Sequence, residues 1–310
     1  MKKRNLLNKT NGKANILYGY SDEEVIETFA LVTGASSGIG RAIAEELARR
    51  GINLILVALP NTGIETVEEL LTDTYNIKVY SFCLDLTDPE APSILVDTCK
   101  RKNIHLSVLV NNAGFGNLEL FGDSDLDELL QMMALNNRAL VSLTHQFIPL
   151  LKESGEGYIL NVGSLASVFK IPYKAVYSAT KSFVYSFSAA LGLELKSSHV
   201  FVSCLCPGST LTSPRVRDIL ERTAGKNRLF VQTPEAVAKI AVRKLFKRQF
   251  KIVPGFHNRL LLGMSRILPE SVTDKLLVIL FKPKQRTNAQ PILSLRRNYG
   301  SLIVLSLANR

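Results

Sequence analysis

Short runs of apolar residues alternate along the chain with longer stretches in which apolar positions recur every three or four residues. The run "TFALVT" at 28–33 reads as a strand. "NLILVAL" at 53–59 is almost wholly apolar, the mark of a strand covered on both faces. "KVYSFCL" (78–84), "LSVLVNN" (106–112), "GYILNVG" (157–163) and "HVFVSCLC" (199–206) share that character, and "FKIVPG" (250–255) supplies a last strand. "GIGRAIAEELARRG" (38–51) places Ile39, Ala42, Ile43 and Leu47 on one helical face and stops at Gly51. Further helical patterns cover 63–74, 88–102, 123–152, 174–197 and 234–248. Strand and helix in strict alternation predict an α/β fold, a doubly wound parallel sheet of about seven strands with helices on both faces.

No internal repeat and no long linker interrupts the chain before residue 255. The predicted organisation is one domain over 26–255, after a loosely ordered extension over 1–25 without the apolar segment of a secretion signal. A basic, apolar helical extension is expected over 256–285 and a poorly ordered tail over 286–310. Ligands of such sheets bind beyond the carboxyl ends of the strands. The residues that follow each apolar run are therefore the candidates for chemistry.

After the first strand comes "TGASSGIG", Thr33 to Gly40. Glycines between a strand and a helix permit a tight turn and let backbone N–H groups approach a pyrophosphate. Asp85 in "CLDLTD" follows the third run and "NNAG", Asn111 to Gly114, the fourth. Taken singly, these are ordinary turn or cap residues. The fifth run leads to "NVGSLAS" with Ser164, and the sixth to "CPGSTLT", residues 206–212. In "AVYSATKSF", Tyr177 and Lys181 are four residues apart, which on its own marks only helical neighbours.

In this order the motifs resemble the classical short-chain dehydrogenase/reductase family: TGxxxGxG, NNAG, a serine thirteen residues before the tyrosine, YxxxK and a PG turn. The resemblance covers about 28–255 and implies a Rossmann-type sheet, a nicotinamide dinucleotide and hydride transfer between it and an alcohol or carbonyl. It makes Tyr177 the general acid or base, Ser164 the hydrogen-bond partner of the substrate oxygen, and Lys181 the residue that binds the nicotinamide ribose and lowers the phenol's pKa. Asn136 matches the fourth catalytic residue, with Asn137 the neighbour one register away. Gly34, Gly38 and Gly40 shape the phosphate turn together with Ser36, Ser37 and Ile39. Asp85 and Leu86 reach the adenine. Asn112, Ala113 and Gly114 line the cofactor, and Pro207, Gly208, Thr210 and Thr212 turn against the nicotinamide. A free tyrosine is almost entirely phenol at neutral pH, so a nearby ammonium and the oxidised cofactor's positive ring would favour phenolate.

At the end of the second run, Ala58 and Leu59 stand where the family carries an acid for NAD or an arginine for NADP. The missing acid removes repulsion against a 2′-phosphate, and Ser36, Ser37 and Asn61 offer donors. NADP(H) is therefore favoured over NAD(H).

Composition adds three things. Four scattered histidines and four cysteines without paired spacing give no metal site, and the thiols fit a reducing, cytoplasmic setting. No apolar run reaches the roughly 18 residues of a membrane span. The net charge of +11 is lopsided: from Arg243 onward, 14 Lys/Arg face only Glu270 and Asp274, leaving −1 for residues 1–242. The segments "NRLLLGMSRIL" and "VTDKLLVILFK" resemble the C-terminal part of family members acting on lipid-like substrates. They read as a substrate lid, a dimer-packing segment or a helix pair on the anionic inner face of a membrane. No interleaving of aromatic and basic residues supports nucleic acid as a partner. A small hydrophobic substrate and a homodimer or homotetramer, paired through the two long helices, are implied by the resemblance. The rival function is a catalytically idle cofactor-binding regulator or scaffold on the same fold.

Overall fold

The computed structural model describes residues 27–212 and 231–264, with residues 268, 269, 271, 272, 275, 277 and 278. The N-terminal extension, the tail over 286–310 and much of the second C-terminal segment lie outside the described residues.

Seven parallel strands form one sheet in the order β3-β2-β1-β4-β5-β6-β7. They are β1 (Thr28–Thr33), β2 (Asn53–Ala58), β3 (Val79–Cys83), β4 (His105–Asn111), β5 (Gly157–Val162), β6 (Val200–Leu205) and β7 (Lys251–Ile252). The last is far shorter than the run 250–255 predicts. The chain direction of travel across the sheet reverses between β1 and β4, which opens a crevice at their carboxyl ends.

Alternation along each strand feeds two cores. From β1, Ala30 and Val32 face one side with Leu54 and Leu56 of β2 and Val108 and Val110 of β4. That side is covered by α1 (Gly38–Ala48), α2 (Ile64–Tyr75) and α7 (Pro234–Leu245). Phe29 and Leu31 face the other side with Ile55, Val57, Leu106 and Leu109. Here the cover is α3 (Ala91–Arg101), α5 (Leu140–Glu153) and α6 (Ala175–Glu194). Phe147 of α5 is fully enclosed. Truncating such a side chain to alanine costs about 3–5 kcal/mol.

The single helix predicted over 123–152 is divided. A 3-10 turn at Phe121–Asp123 precedes α4 (Leu126–Met133), whose N-cap Asp125 accepts from the Asp127 N–H at 3.0 Å. A π-helical segment, Ala134–Ala139, then joins α4 to α5. Its wider turn inserts one residue, an adjustment that periodicity of apolar residues does not register. After β7 the chain turns at Gly255 and enters α8 (Phe256–Met264), which buries Asn258 and Leu262 and leaves the rest of its surface open.

Candidate active site

The crevice begins at the end of β1. Gly34 and Gly38 have φ of 64° and 57°, the left-handed region that the tight turn requires. α1 starts at Gly38 with no side-chain cap on its N-terminus and no acid in its first turn. A Cβ on Gly34 would stand 2.9 Å from Asn112 Nδ2, and one on Gly40 would collide with the Gly34 carbonyl. An uncapped helix start behind a backbone without room for side chains suits a dinucleotide's pyrophosphate. Ser36 is half-buried beside this turn, Ser37 is exposed, and Ile39 points into the core.

The turn is strapped to the end of β4. Thr33 Oγ1 accepts from the N–H groups of Asn112 (2.9 Å) and Ala113 (3.0 Å) and donates to the Val110 carbonyl (3.2 Å). Asn112 Nδ2 donates to the carbonyls of Thr33 at 2.8 Å and Gly34 at 3.2 Å. The Asn112 amide is thus engaged in holding the turn. Asp85 lies exposed past β3, where one carboxylate oxygen accepts from the Thr87 N–H and hydroxyl at 2.8 and 2.7 Å. Leu86 beside it is buried.

Beyond β6, the Pro207 carbonyl accepts from the Leu165 N–H at 2.9 Å, tying the PG turn to the turn of Ser164. Gly208 sits against Asn258 of α8. Thr210 Oγ1 donates to the Gly208 carbonyl at 3.0 Å and Thr210 pairs with Gln232. Thr212 folds back onto the glycine turn: a Cβ on Gly38 would lie 2.9 Å from Thr212 Cβ.

Ser164, Tyr177, Lys181 and Asn136 come together between these two walls. Ser164 follows β5 in extended conformation and caps a 3-10 turn, Leu165–Ser167, where its Oγ accepts from the Ala166 N–H at 3.1 Å. Its hydroxyl lies near enough to the Tyr177 phenol to draw that phenol's pKa down. Tyr177 lies in the first turn of α6, and a Cβ on Gly116 would strike its ring, so the loop after β4 packs flat against the phenol. Lys181, one turn on, is buried, and its Nζ donates to the Val162 carbonyl at 2.9 Å. Asn136, inside the π-helical segment and 1% exposed, clamps the loop: Oδ1 accepts from the Phe115 N–H at 3.1 Å and Nδ2 donates to the Phe115 carbonyl at 2.9 Å. Nδ2 also reaches Thr180 Oγ1 at 3.1 Å. Gly114 leaves the space that Asn136 Oδ1 takes, a Cβ there standing only 2.6 Å away. Asn137 turns to the Thr180 carbonyl instead, at 3.0 Å.

Burial dominates the electrostatics. It pushes the Tyr177 phenol above its usual range, against the smaller downward pull of the Ser164 hydrogen bond. The Lys181 ammonium, bonded to the Val162 carbonyl, stands 6.0 Å from the ring centre and does not outweigh burial. Burial also lowers the Lys181 ammonium to about 8, opposed by the neighbouring thiols of Cys204 and Cys206.

Three participants are not among the candidate site residues, although Thr33 opens the TGxxxGxG motif. Thr33 and Thr180 act through hydrogen bonds whose partners are 44 to 80 residues away. Lys174 stands beside Tyr177 at the start of α6, its Nζ 5.5 Å from the ring centre. A lysine at a helix boundary gives no signal of its own in a sequence. Among the described residues, no group of three or more His, Cys, Asp or Glu is placed to hold a metal.

The profile described as short chain dehydrogenase matches residues 28–222. The very-long-chain 3-oxoacyl-CoA reductase of Macaca fascicularis is 30% identical over 221 residues, covering 69% of this chain and 67% of that protein. The protein of the same name from Bos taurus is 31% identical over 185 residues, 58% of each chain. The matched part thus spans between about half and two thirds of these relatives. Among solved structures, a short-chain dehydrogenase from Sphingobium yanoikuyae in complex with NADPH is 28% identical with a TM-score of 0.67, covering 85% of this chain and 98% of that one. A bulky-bulky ketone specific alcohol dehydrogenase from Comamonas testosteroni is 26% identical with a TM-score of 0.65, covering 84% and 96%.

Proposed function

The chain belongs to the short-chain dehydrogenase family of oxidoreductases, and from that premise we propose that it reduces the carbonyl of a hydrophobic, acyl-like substrate with NADP(H), Tyr177 acting as the acid. The observation that carries the reading is the gathering of Ser164, Tyr177, Lys181 and Asn136 at the sheet's switch point, with Lys181 bonded to the end of β5 and Asn136 clamping the loop that packs on Tyr177. The names of the curated relatives, 3-oxoacyl-CoA reductases, support the acyl class.

A bound nicotinamide supplies the hydride to the carbonyl carbon. The chain's own residues manage the oxygen. Ser164 Oγ accepts from the Ala166 N–H, which orients the hydroxyl, and its proton would be donated to the substrate oxygen when substrate is bound. Tyr177, kept as phenol by burial, delivers the proton that the oxygen takes up. Lys181, whose ammonium donates to the Val162 carbonyl, would place positive charge near the phenolate left behind and would have further donors for the nicotinamide ribose. The glycine turn and the first N–H groups of α1 would hold the pyrophosphate.

NADP(H) is preferred over NAD(H) because no acid follows β2. Ala58, Leu59, Pro60, Asn61 and Thr62 come first, and the next acid, Glu65, accepts from the Cys83 thiol at 3.1 Å. The structure of Sphingobium yanoikuyae with NADPH is a relative consistent with that preference.

Association with an anionic membrane surface is part of the proposal. Among the described residues no helix is long and apolar enough to cross a membrane. α8 nevertheless exposes Phe256, Leu260, Leu261 and Met264 next to Arg259. Pairing of two copies through α4 to α6 is likewise supported by the exposed Leu126, Leu130, Met133 and Phe183.

The test is NADPH- and NADH-dependent reduction of a 3-oxoacyl thioester, with cofactor binding followed by fluorescence. Wild type is expected to turn over with NADPH, and Tyr177→Phe to lose about 10²–10⁴-fold in kcat while still binding the cofactor. Binding without turnover in wild type would favour the scaffold instead, and near-normal turnover by Tyr177→Phe would remove the phenol from the chemistry.

A further inference from the structure

We propose that Lys174 forms a second polar subsite in the substrate cleft, taking an oxygen acceptor that lies a few bonds from the reacting carbonyl and so selecting 1,3-dicarbonyl substrates such as 3-oxoacyl thioesters. The inference rests on the reading of Tyr177 as the acid and adds what the substrate must carry beside its reacting group.

Lys174, Tyr177 and Lys181 fall at i, i+3 and i+7 along α6, counting Lys174 as its N-cap, and therefore share one face. The two ammonium groups lie 5.5 Å and 6.0 Å from the centre of the Tyr177 ring. They do different things. Lys181 is deep, bonded to the end of β5 and 3.4 Å from where a Gly114 Cβ would stand, on the side of the glycine turn. Lys174 is at the opposite end of the row, away from the cofactor's expected place. With Lys181 assigned to the cofactor side, Lys174 is left to face the remainder of a substrate bound at Tyr177.

Among the described residues Lys174 is also a cation without a matching anion. It is half-buried, and burial lowers its pKa. Among the described residues no carboxylate forms an ion pair with it and its ammonium makes no hydrogen bond; the Tyr177 ring is its one partner. An ammonium has three donors, and withdrawing them from water unpaired is unfavourable. An acceptor on the ligand would relieve that cost.

The backbone holds Lys174 in this position at some strain. Tyr173, directly before it, has φ of 66°, a left-handed conformation that a bulky side chain rarely takes. The Tyr173 carbonyl accepts from the Glu119 N–H at 2.8 Å, and the Lys174 carbonyl accepts from the Ser178 N–H at 2.8 Å. The turn is thereby fixed to the loop after β4 on one side and to α6 on the other. Strain of this kind persists where surrounding structure over-determines it, and it concentrates at ligand-contacting sites.

A ketone offers one oxygen, which Ser164 and Tyr177 take. A 3-oxoacyl thioester offers a second, the thioester carbonyl, separated by one methylene. An ammonium there hydrogen-bonds the second oxygen and fixes the chain's direction in the cleft. Hydrogen bonds to charged groups are worth roughly 10- to 100-fold in affinity.

The experiment measures kcat/KM with NADPH for a 3-oxoacyl thioester and for a plain methyl ketone of equal chain length. Wild type, Lys174→Met, Lys174→Arg and Tyr177→Phe are compared, each checked by thermal melting. The thioester-to-ketone ratio is expected to fall about 10- to 100-fold in Lys174→Met and to recover in part in Lys174→Arg. An unchanged ratio, whether both rates fall together or neither falls, overturns the subsite while leaving the reductase reading in place. Wild type that reduces neither compound overturns the reductase reading, and the subsite with it.

Discussion

Lys181 carries its charge in a buried position with one carbonyl as hydrogen-bond partner, so its titration governs the site more directly than that of Tyr177. The phenol is pushed up by burial and stays protonated across the neutral range, competent as an acid. The ammonium, lowered to about 8, is lost first as pH rises. For reduction, kcat/KM is expected to be level below pH about 8 and to decline above it with a one-proton slope. A profile that stays flat well above that pH would show that the charge of Lys181 is not needed. The same shift has a consequence for stability. The folded-state pKa, about 8, lies below the ordinary 10.5, so between these values the unfolded chain binds more protons. The burial cost is fully present below pH about 8 and is relieved as pH rises toward 10.5, so this group's contribution to stability increases over that window.

Asn136 works through the element that holds it. The π-helical segment between α4 and α5 turns its amide toward the loop after β4, where it engages both the N–H and the carbonyl of Phe115. Asn136→Ala would leave the N–H and carbonyl of Phe115 without this partner, at roughly 1–3 kcal/mol for each group that remains buried and unsatisfied, while Thr180 Oγ1 keeps its bond to the Tyr177 carbonyl. The expected result is a lower midpoint in chemical denaturation together with reduced turnover, since the loop carrying Gly114 and Gly116 packs on Lys181 and Tyr177. Full stability in Asn136→Ala would mean that water or backbone movement replaces the clamp. This element also marks where sequence reading stops. The strands were legible because a strand covered on both faces needs apolar residues without interruption, as at 53–58. The glycine turn and Ser164 were legible because each follows a strand end, and Tyr177 and Lys181, inside α6, through the motif combination that resembles the family. The π-helical insertion was not, since "MMALNNRALV" keeps an apolar pattern through the break. Lys174 was not, because its place depends on the left-handed turn at Tyr173.

For the molecule as a whole, charge and apolar exposure coincide at one place. The excess of positive charge begins at Arg243, in the last turn of α7, and α8 follows closely. Lys244 has its pKa lowered by burial first and then by Arg259 and Arg243, which places α7 and α8 charges within reach of one another. Beside them Phe256, Leu260 and Met264, spaced four residues apart, expose an apolar strip of α8. An anionic bilayer satisfies both features, with about 1 kcal/mol for each basic residue held near its surface. The chain is expected to float with vesicles containing phosphatidylserine, to release from them as salt shortens the screening length, and to ignore neutral vesicles. Phe256→Ser with Leu260→Ser removes two exposed side chains and should weaken flotation without lowering the melting temperature. Equal flotation by this double variant, or equal binding to neutral vesicles, would dismiss α8 as the contact. Contact through α8 would also bear on catalysis. Asn258 bonds the Pro254 carbonyl at 2.8 Å and Gln232 at 3.1 Å and fills the space beside Gly208, so α8 is joined to the turn that closes the cleft.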